Sequence, residues 1–173
     1  MGSRGWHARA ELMDDAPLAF DSFFEAEQER LLRALALITG SRAQAEDIAQ
    51  EAFTRVFERW DRVGAMEDPA GYLHRAAMNL FRSQYRRTAL ALRRAVGLGP
   101  QRDVFEQIDD RDRAIRALAA LTPRQRAALV LTEALGYSGE DAGDLLGIKA
   151  STVWALTHQA RSTLEGLRED GDG

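Results

Sequence analysis

The sequence contains no cysteine. That excludes a disulfide framework and thiolate metal sites, and it fits a reducing cytoplasm, where the chain is expected to act. Histidine is scarce: His7, His74 and His158 lie in separate segments, so no group has metal-ligand spacing. No glycine-rich phosphate loop occurs, and acid pairs such as Asp109 and Asp110 sit without a scaffold. No catalytic residue, cofactor, metal or small-molecule substrate is therefore expected. No apolar run approaches the ~18–20 residues of a membrane span, and no signal peptide is evident, so membrane insertion is not expected. Lysine occurs once, at Lys149; every other basic residue is arginine.

What is present is helical pattern, with no segment of strand period. The 173 residues suffice for one medium domain or two small ones. Residues 1–16 carry little pattern and read as a frayed terminus. From Pro17, the residues Leu18, Phe20, Phe23, Phe24, Leu31, Leu32, Leu35 and Ile38 recur as on a buried helix, which Gly40 stops. Ser41 and Gln44 form a capping box for the next helix. Ala45, Ile48, Ala49, Ala52, Phe53, Val56, Phe57 and Trp60 make its apolar stripe; Glu46, Asp47, Gln50, Glu51, Thr54 and Glu58 lie off it and read as a solvent face. Asp61 to Glu67 reads as a loop.

A helix then opens at Asp68, a good N-cap, with Pro69 at the first position, where its missing N–H costs nothing. At about 100° per residue, Arg75, Asn79, Arg82 and Arg86 fall in one sector roughly 60° wide. Leu73, Ala76, Ala77 and Leu80 fall opposite. His74, on the shoulder, reads as a surface or satisfied residue. From Pro69 to Arg102 there are seven arginines and no acid, in a chain of net charge −4. A solvated face usually mixes both signs, so this one points to a phosphate backbone.

Residues 88–110 contain Gly97, Gly99 and Pro100, turn acidic at Asp103, Glu106, Asp109 and Asp110, and read as a linker. A second helical block covers 111–173. Ile115, Leu118, Ala119 and Leu121 share a face. Thr122 to Gln125 is a capping box with Pro123 at the first position. Ala127, Val130, Leu131 and Ala134 continue to Gly136. Ser138 caps a helix over 139–146, Gly147 ends it, and Ser151 caps a last helix with Val153, Leu156, Ala160, Leu164 and Leu167 inward. Short helix, tight turn, longer helix is helix-turn-helix geometry. The expected fold is all-α: two small helical domains, 17–87 and 111–173, joined by a linker.

Two segments resemble one family. Ala45-Glu46-Asp47-Ile48-Ala49-Gln50-Glu51-Ala52-Phe53-Thr54-Arg55-Val56-Phe57, followed by the Tyr72–Arg87 helix, is similar to domain 2 of extracytoplasmic-function (ECF) sigma factors. Leu121-Thr122-Pro123-Arg124-Gln125-Arg126 through Arg161 is similar to their domain 4. The resemblance implies a dissociable initiation subunit of bacterial RNA polymerase, with core polymerase and promoter DNA as partners and an anti-sigma factor as a further one. It implies polymerase contact through Asp47, Gln50 and Glu51. It implies minus-ten contact through Arg75, Asn79, Arg82, Arg86 and Arg87, with the 61–67 loop holding a flipped base and the linker threading into the polymerase. An amide reads a base edge, arginines neutralise phosphates, and opened DNA needs a cationic track. Minus-thirty-five contact falls to Lys149, Ser151, Thr152, Trp154, His158, Gln159 and Arg161. Here the chain departs from the family, which favours cations where this sequence has Trp154, Leu156 and Gln159. Trp154 either meets thymine methyls, anchors a protein partner, or lies half-buried on the preceding helix. Two other readings stay open: a helix-turn-helix regulator that works without polymerase, and a sigma-like protein acting mainly through protein contacts.

Overall fold

The structure is a computed structural model and describes residues 19–94 and 117–171. The expectations for residues 1–18, for linker residues 95–110 and for Ile115 lie outside the described residues. Among the described residues there is helix and no strand: α1 (Phe20–Thr39), α2 (Arg42–Phe57), α3 (Trp60–Val63), α4 (Pro69–Arg94), α5 (Pro123–Leu129) running into a π-helical segment (Val130–Ala134), α6 (Gly139–Leu146) and α7 (Ala150–Gly171).

Caps set most of these boundaries. Gly40 and Gly147 take left-handed conformations, φ 72° and 64°, that other residues adopt only at a cost. Asp68 accepts the Gly71 N–H at 2.8 Å. Thr122 and Gln125 close a full reciprocal box, at 2.9 and 3.3 Å. At Ser41 only half the box forms: its hydroxyl takes the Gln44 N–H, while the Gln44 amide donates instead to Gln84 of α4, 3.3 Å away.

Four boundaries differ from the sequence reading. The Asp61–Glu67 stretch begins inside α3, a single turn. Helix α4 passes Arg87 and continues to Arg94; Thr88-Ala89-Leu90-Ala91-Leu92 offers mostly strong helix formers and no stop. Helix α7 starts at Ala150, with the Lys149 carbonyl taking the Thr152 and Val153 N–H groups, so Ser151 lies within the helix and does not cap it. The chain after Leu129 widens into a π turn, in which the Leu135 N–H reaches the Val130 carbonyl at 3.0 Å.

The two helical units share one buried cluster, running from Phe23, Leu35 and Val56 through Leu73 and Phe81 to Leu131, Leu145 and Val153. Three large apolar residues expected inside are exposed, Phe24, Phe57 and Leu167, and so is Ala134. Phe24 and Phe57 flank a groove. Leu167 lies near the end of α7, beyond its packing partners.

The seam between the units is polar and specific. Arg126 of α5 is fully buried. It donates to the carbonyls of Ile38 (2.9 Å) and Thr39 (3.5 Å) at the end of α1, and to Leu121 (2.7 Å) on its own side. A buried guanidinium that supplies donors at once to the end of α1 and to the segment leading into α5 ties the two units together. The π turn and Gly136 (φ 75°) bring Tyr137 round to face α4, where its hydroxyl is 2.6 Å from His74 Nδ1.

His74 is thus buried at the seam, where the sequence reading left it a surface or satisfied residue. Burial first, then the Arg30 guanidinium, lower its pKa from 6.5 to about 4, with Asp68 opposing. Burial also raises the Tyr137 phenol, which stays protonated at neutral pH. Because the folded pKa of His74 is depressed, its contribution to stability is complete above 6.5 and is lost as pH falls towards about 4, since the unfolded chain protonates first. His74→Phe should flatten the fall in urea midpoint across that window. An unchanged pH slope in the variant would show that His74 is not its source.

Candidate functional site

Helix α4 presents the cationic row. Arg75, Asn79, Arg86 and Arg87 are exposed and Arg82 is half-buried, while Leu73, Ala77, Met78 and Phe81 face the core. The Arg82 guanidinium sits 3.4 Å from the Asn79 side-chain oxygen, a long contact that leaves the amide donors outward. None of these four arginines pairs with a described carboxylate. At the helix start, Arg62 lies 6.0 Å over the Tyr72 ring. A single-sign face around one amide can hold a phosphate chain and read a base edge.

Helix α2 presents a second face. Asp47, Gln50 and Glu51 are all exposed. Glu51 is tethered by Arg55 at 2.9 Å, and Arg42 likewise holds Glu46 at 2.8 Å. Gln50 and Glu46 also border a groove of about 890 Å³ between α1 and α2, floored by Phe20, Phe24, Phe53 and Phe57 and rimmed by acids.

The third candidate region is α6, its turn and α7. Lys149, Ser151, Trp154, His158, Gln159 and Arg161 are exposed and Thr152 is half-buried. They spread over about half the circumference of α7 and do not form a stripe.

Two family models match this chain: Sigma-70 region 2 over residues 23–90 and Sigma-70 region 4 over residues 111–164. The chain is 30% identical over 155 residues to the RNA polymerase sigma-E factor of Streptomyces coelicolor, across 88% of this chain and 86% of that protein. This chain belongs to the ECF sigma factors. It is 35% identical over 157 residues to the ECF RNA polymerase sigma factor SigE of Mycolicibacterium smegmatis, across 84% of this chain and 60% of that protein. Its fold is similar to that of the sigma factor RpoE in complex with the anti-sigma factor NepR from Bartonella quintana. There the TM-score is 0.67 at 22% identity, over 87% of this chain and 96% of that one.

The sigma factor therefore directs RNA polymerase to promoter DNA, and polymerase and promoter are its partners. Members of this family work by binding and not by catalysis. The α4 row and the α2 face lie in its region 2 and the helix-turn-helix in its region 4. No helix among the described residues is long and apolar enough to cross a membrane.

In this sigma factor α7 has an unusual surface. Trp154 is 57% exposed, yet its indole also covers α6: a Cβ on Gly139 would fall 2.7 Å from Trp154 Cε2. Only glycine at 139 lets the ring lie there, so Trp154 is half-covered by the preceding helix, as one of the sequence alternatives has it. Leu156 leaves the surface and packs against the core. Arg161 is held in an ion pair with Glu133, and Gln159 contacts Gln125 at 3.5 Å. Sequence reasoning missed Arg126 and Tyr137. Arg126 lies within the family motif, but only the folded chain brings it to α1.

Proposed function

We propose that the α4 row takes the minus-ten element in opened form: Asn79 reads a base, and Arg75, Arg82, Arg86 and Arg87 hold the backbone. The residues 61–67 beside the Arg62–Tyr72 pair would wall the pocket for a flipped base. Asp47, Gln50 and Glu51 of α2 dock on core polymerase in the bacterial cytoplasm. The observation that carries the DNA assignment is the row itself, Arg75, Asn79, Arg82 and Arg86, none of whose arginines is ion-paired with a described carboxylate. Lys149, Ser151, Thr152, Trp154, His158, Gln159 and Arg161 face the minus-thirty-five region with a weaker grip, because one of the two cations is already paired.

The test separates reading from holding. Asn79→Ala should reduce binding of the holoenzyme to its own promoter about tenfold, and to a mismatched minus-ten promoter hardly at all, as loss of one base contact does. Arg82→Ala should weaken both and reduce the salt slope by about one. Equal losses on both promoters for Asn79→Ala would remove Asn79 from base reading.

A further inference from the structure

Three arginines from two helices meet at one small cleft. Arg82 and Arg86 stand one turn apart on α4, and Arg124 comes from the first turn of α5; all three line a cleft of about 300 Å³. No described acid lines it, and none of the three is ion-paired with a described carboxylate. Like charges that converge without a counter-ion repel, and an anion between them turns that repulsion into attraction. Arg82 is also ordered in advance. Its guanidinium lies against the Gly147 backbone, in the space where a side chain at that position would begin, and it contacts the Asn79 side-chain oxygen at 3.4 Å. A donor already held in place loses less freedom when it binds. The rest of the wall is apolar, with Leu146 and Ile148 on one side and two aromatic rings on the other. Tyr85 leans on Phe81, with ring centroids 6.1 Å apart, and is 37% exposed, so part of its ring is free to stack.

We infer that this cleft binds a free nucleoside polyphosphate. Arg82, Arg86 and Arg124 take the phosphates, for which the planar guanidinium fork is well shaped, and Tyr85 stacks on the base. The two halves of the cleft match the two halves of such a molecule: cations for the polyanion, an aromatic ring for the flat base. Its volume is at the lower end of small-molecule sites, which suits one nucleotide. The site goes beyond the promoter reading and does not depend on it. Arg124 and Tyr85 have no part in that reading, and the ligand is a free nucleotide and not a strand. Because α4 lies in one helical unit and α5 in the other, a ligand held by both adds to the stability of the folded chain.

The test is titration calorimetry of the full chain in magnesium-free buffer, with ATP, inorganic tripolyphosphate and adenosine as separate probes. Stacking accepts any base, so ATP stands for the class. ATP should bind one to one, tripolyphosphate several-fold more weakly for want of a base, and adenosine not measurably. Arg124→Ala should weaken ATP binding about tenfold, as loss of one charged contact does. Tyr85→Ala should bring ATP down to the affinity of tripolyphosphate and leave tripolyphosphate unchanged. Both side chains are exposed, so both variants should keep the fold, which circular dichroism checks. Arg168→Ala removes an exposed arginine near the end of α7 and should bind as wild type does. Saturating ATP should raise the Tm of the wild type, and at the same concentration raise that of Arg124→Ala less. Equal wild-type affinity for ATP and tripolyphosphate overturns the nucleotide assignment. Equal losses in Arg124→Ala and Arg168→Ala would mean adsorption of polyanions over the whole basic surface, and overturn the site. So does the absence of ATP binding up to millimolar concentration.

Discussion

Asp47→Ala/Glu51→Ala should lower capture of core RNA polymerase on the order of 100-fold, with the fold intact. The size follows from the way interface energy concentrates in a few residues, where truncations commonly cost tenfold or more each. Preservation of the fold follows from the environment of both side chains. Asp47 and Glu51 are exposed on α2, while the buried side of that helix is Ala45, Ile48, Ala49, Ala52, Phe53 and Val56. The only described pairing lost is Glu51 with Arg55, whose partners are 52% and 42% exposed. Such a surface pair contributes about 0.3–0.5 kcal/mol. A loss of capture therefore reports the interface and not unfolding. Immobilised wild type and variant, each checked by circular dichroism, would be titrated with core polymerase. Undiminished capture by the variant would free α2 of its assigned role and move the polymerase contact to another surface, the acid-rimmed groove between α1 and α2 being the next to try.

Arg126→Met should be the most destabilising single change at the seam. The side chain is fully buried, and its guanidinium serves the carbonyls of Ile38, Thr39, Leu118 and Leu121. Methionine keeps the apolar stem and removes every donor. The carbonyls left in the interior then lose partners, and charged hydrogen bonds of this kind are worth about 1.5–3 kcal/mol. A total near 3 kcal/mol corresponds to a fall in Tm of roughly 6–12 °C for a chain of this size. Arg126→Lys is the sharper probe. It keeps the charge but replaces a planar fork of five donors with one compact ammonium. It should recover little of the loss, because one ammonium does not reach carbonyls on both helical units. Thermal unfolding of the three proteins decides this; a lysine variant as stable as wild type would show that charge, and not bridging, is what the seam needs.

These two sites differ in how far the sequence exposes them. Asp47 and Glu51 are legible because an exposed face needs no partner to be defined: once the apolar stripe of α2 is known, they are what remains. Arg126 is illegible for the opposite reason. On the α5 wheel it is another arginine beside Arg124, and only the approach of α1 makes one of them buried and the other solvated. His74 is legible only as a choice between a surface and a satisfied residue, and the fold selects the second. Its neighbours in sequence place it on a shoulder, and Tyr137, brought round by a π turn that no periodicity announces, places it inside.

Most helices and the chemistry of their faces are legible in the chain alone. Local signals acted locally: a glycine at φ 72° ends α1, a threonine and a glutamine start α5, and a proline at the first position suits α4. The exclusion of acids from the α4 row is likewise written in the chain. The tertiary structure decided what those signals could not reach. It left Phe24 and Phe57 at a groove, because α1 and α2 do not cover them. Most of all, it packed the helix-turn-helix against the arginine row, so that Arg82 is half-covered where Asn79 is free. Periodicity states which side of a helix is apolar; which surfaces are then covered depends on contacts between residues far apart in sequence, and those exist only once the chain has folded.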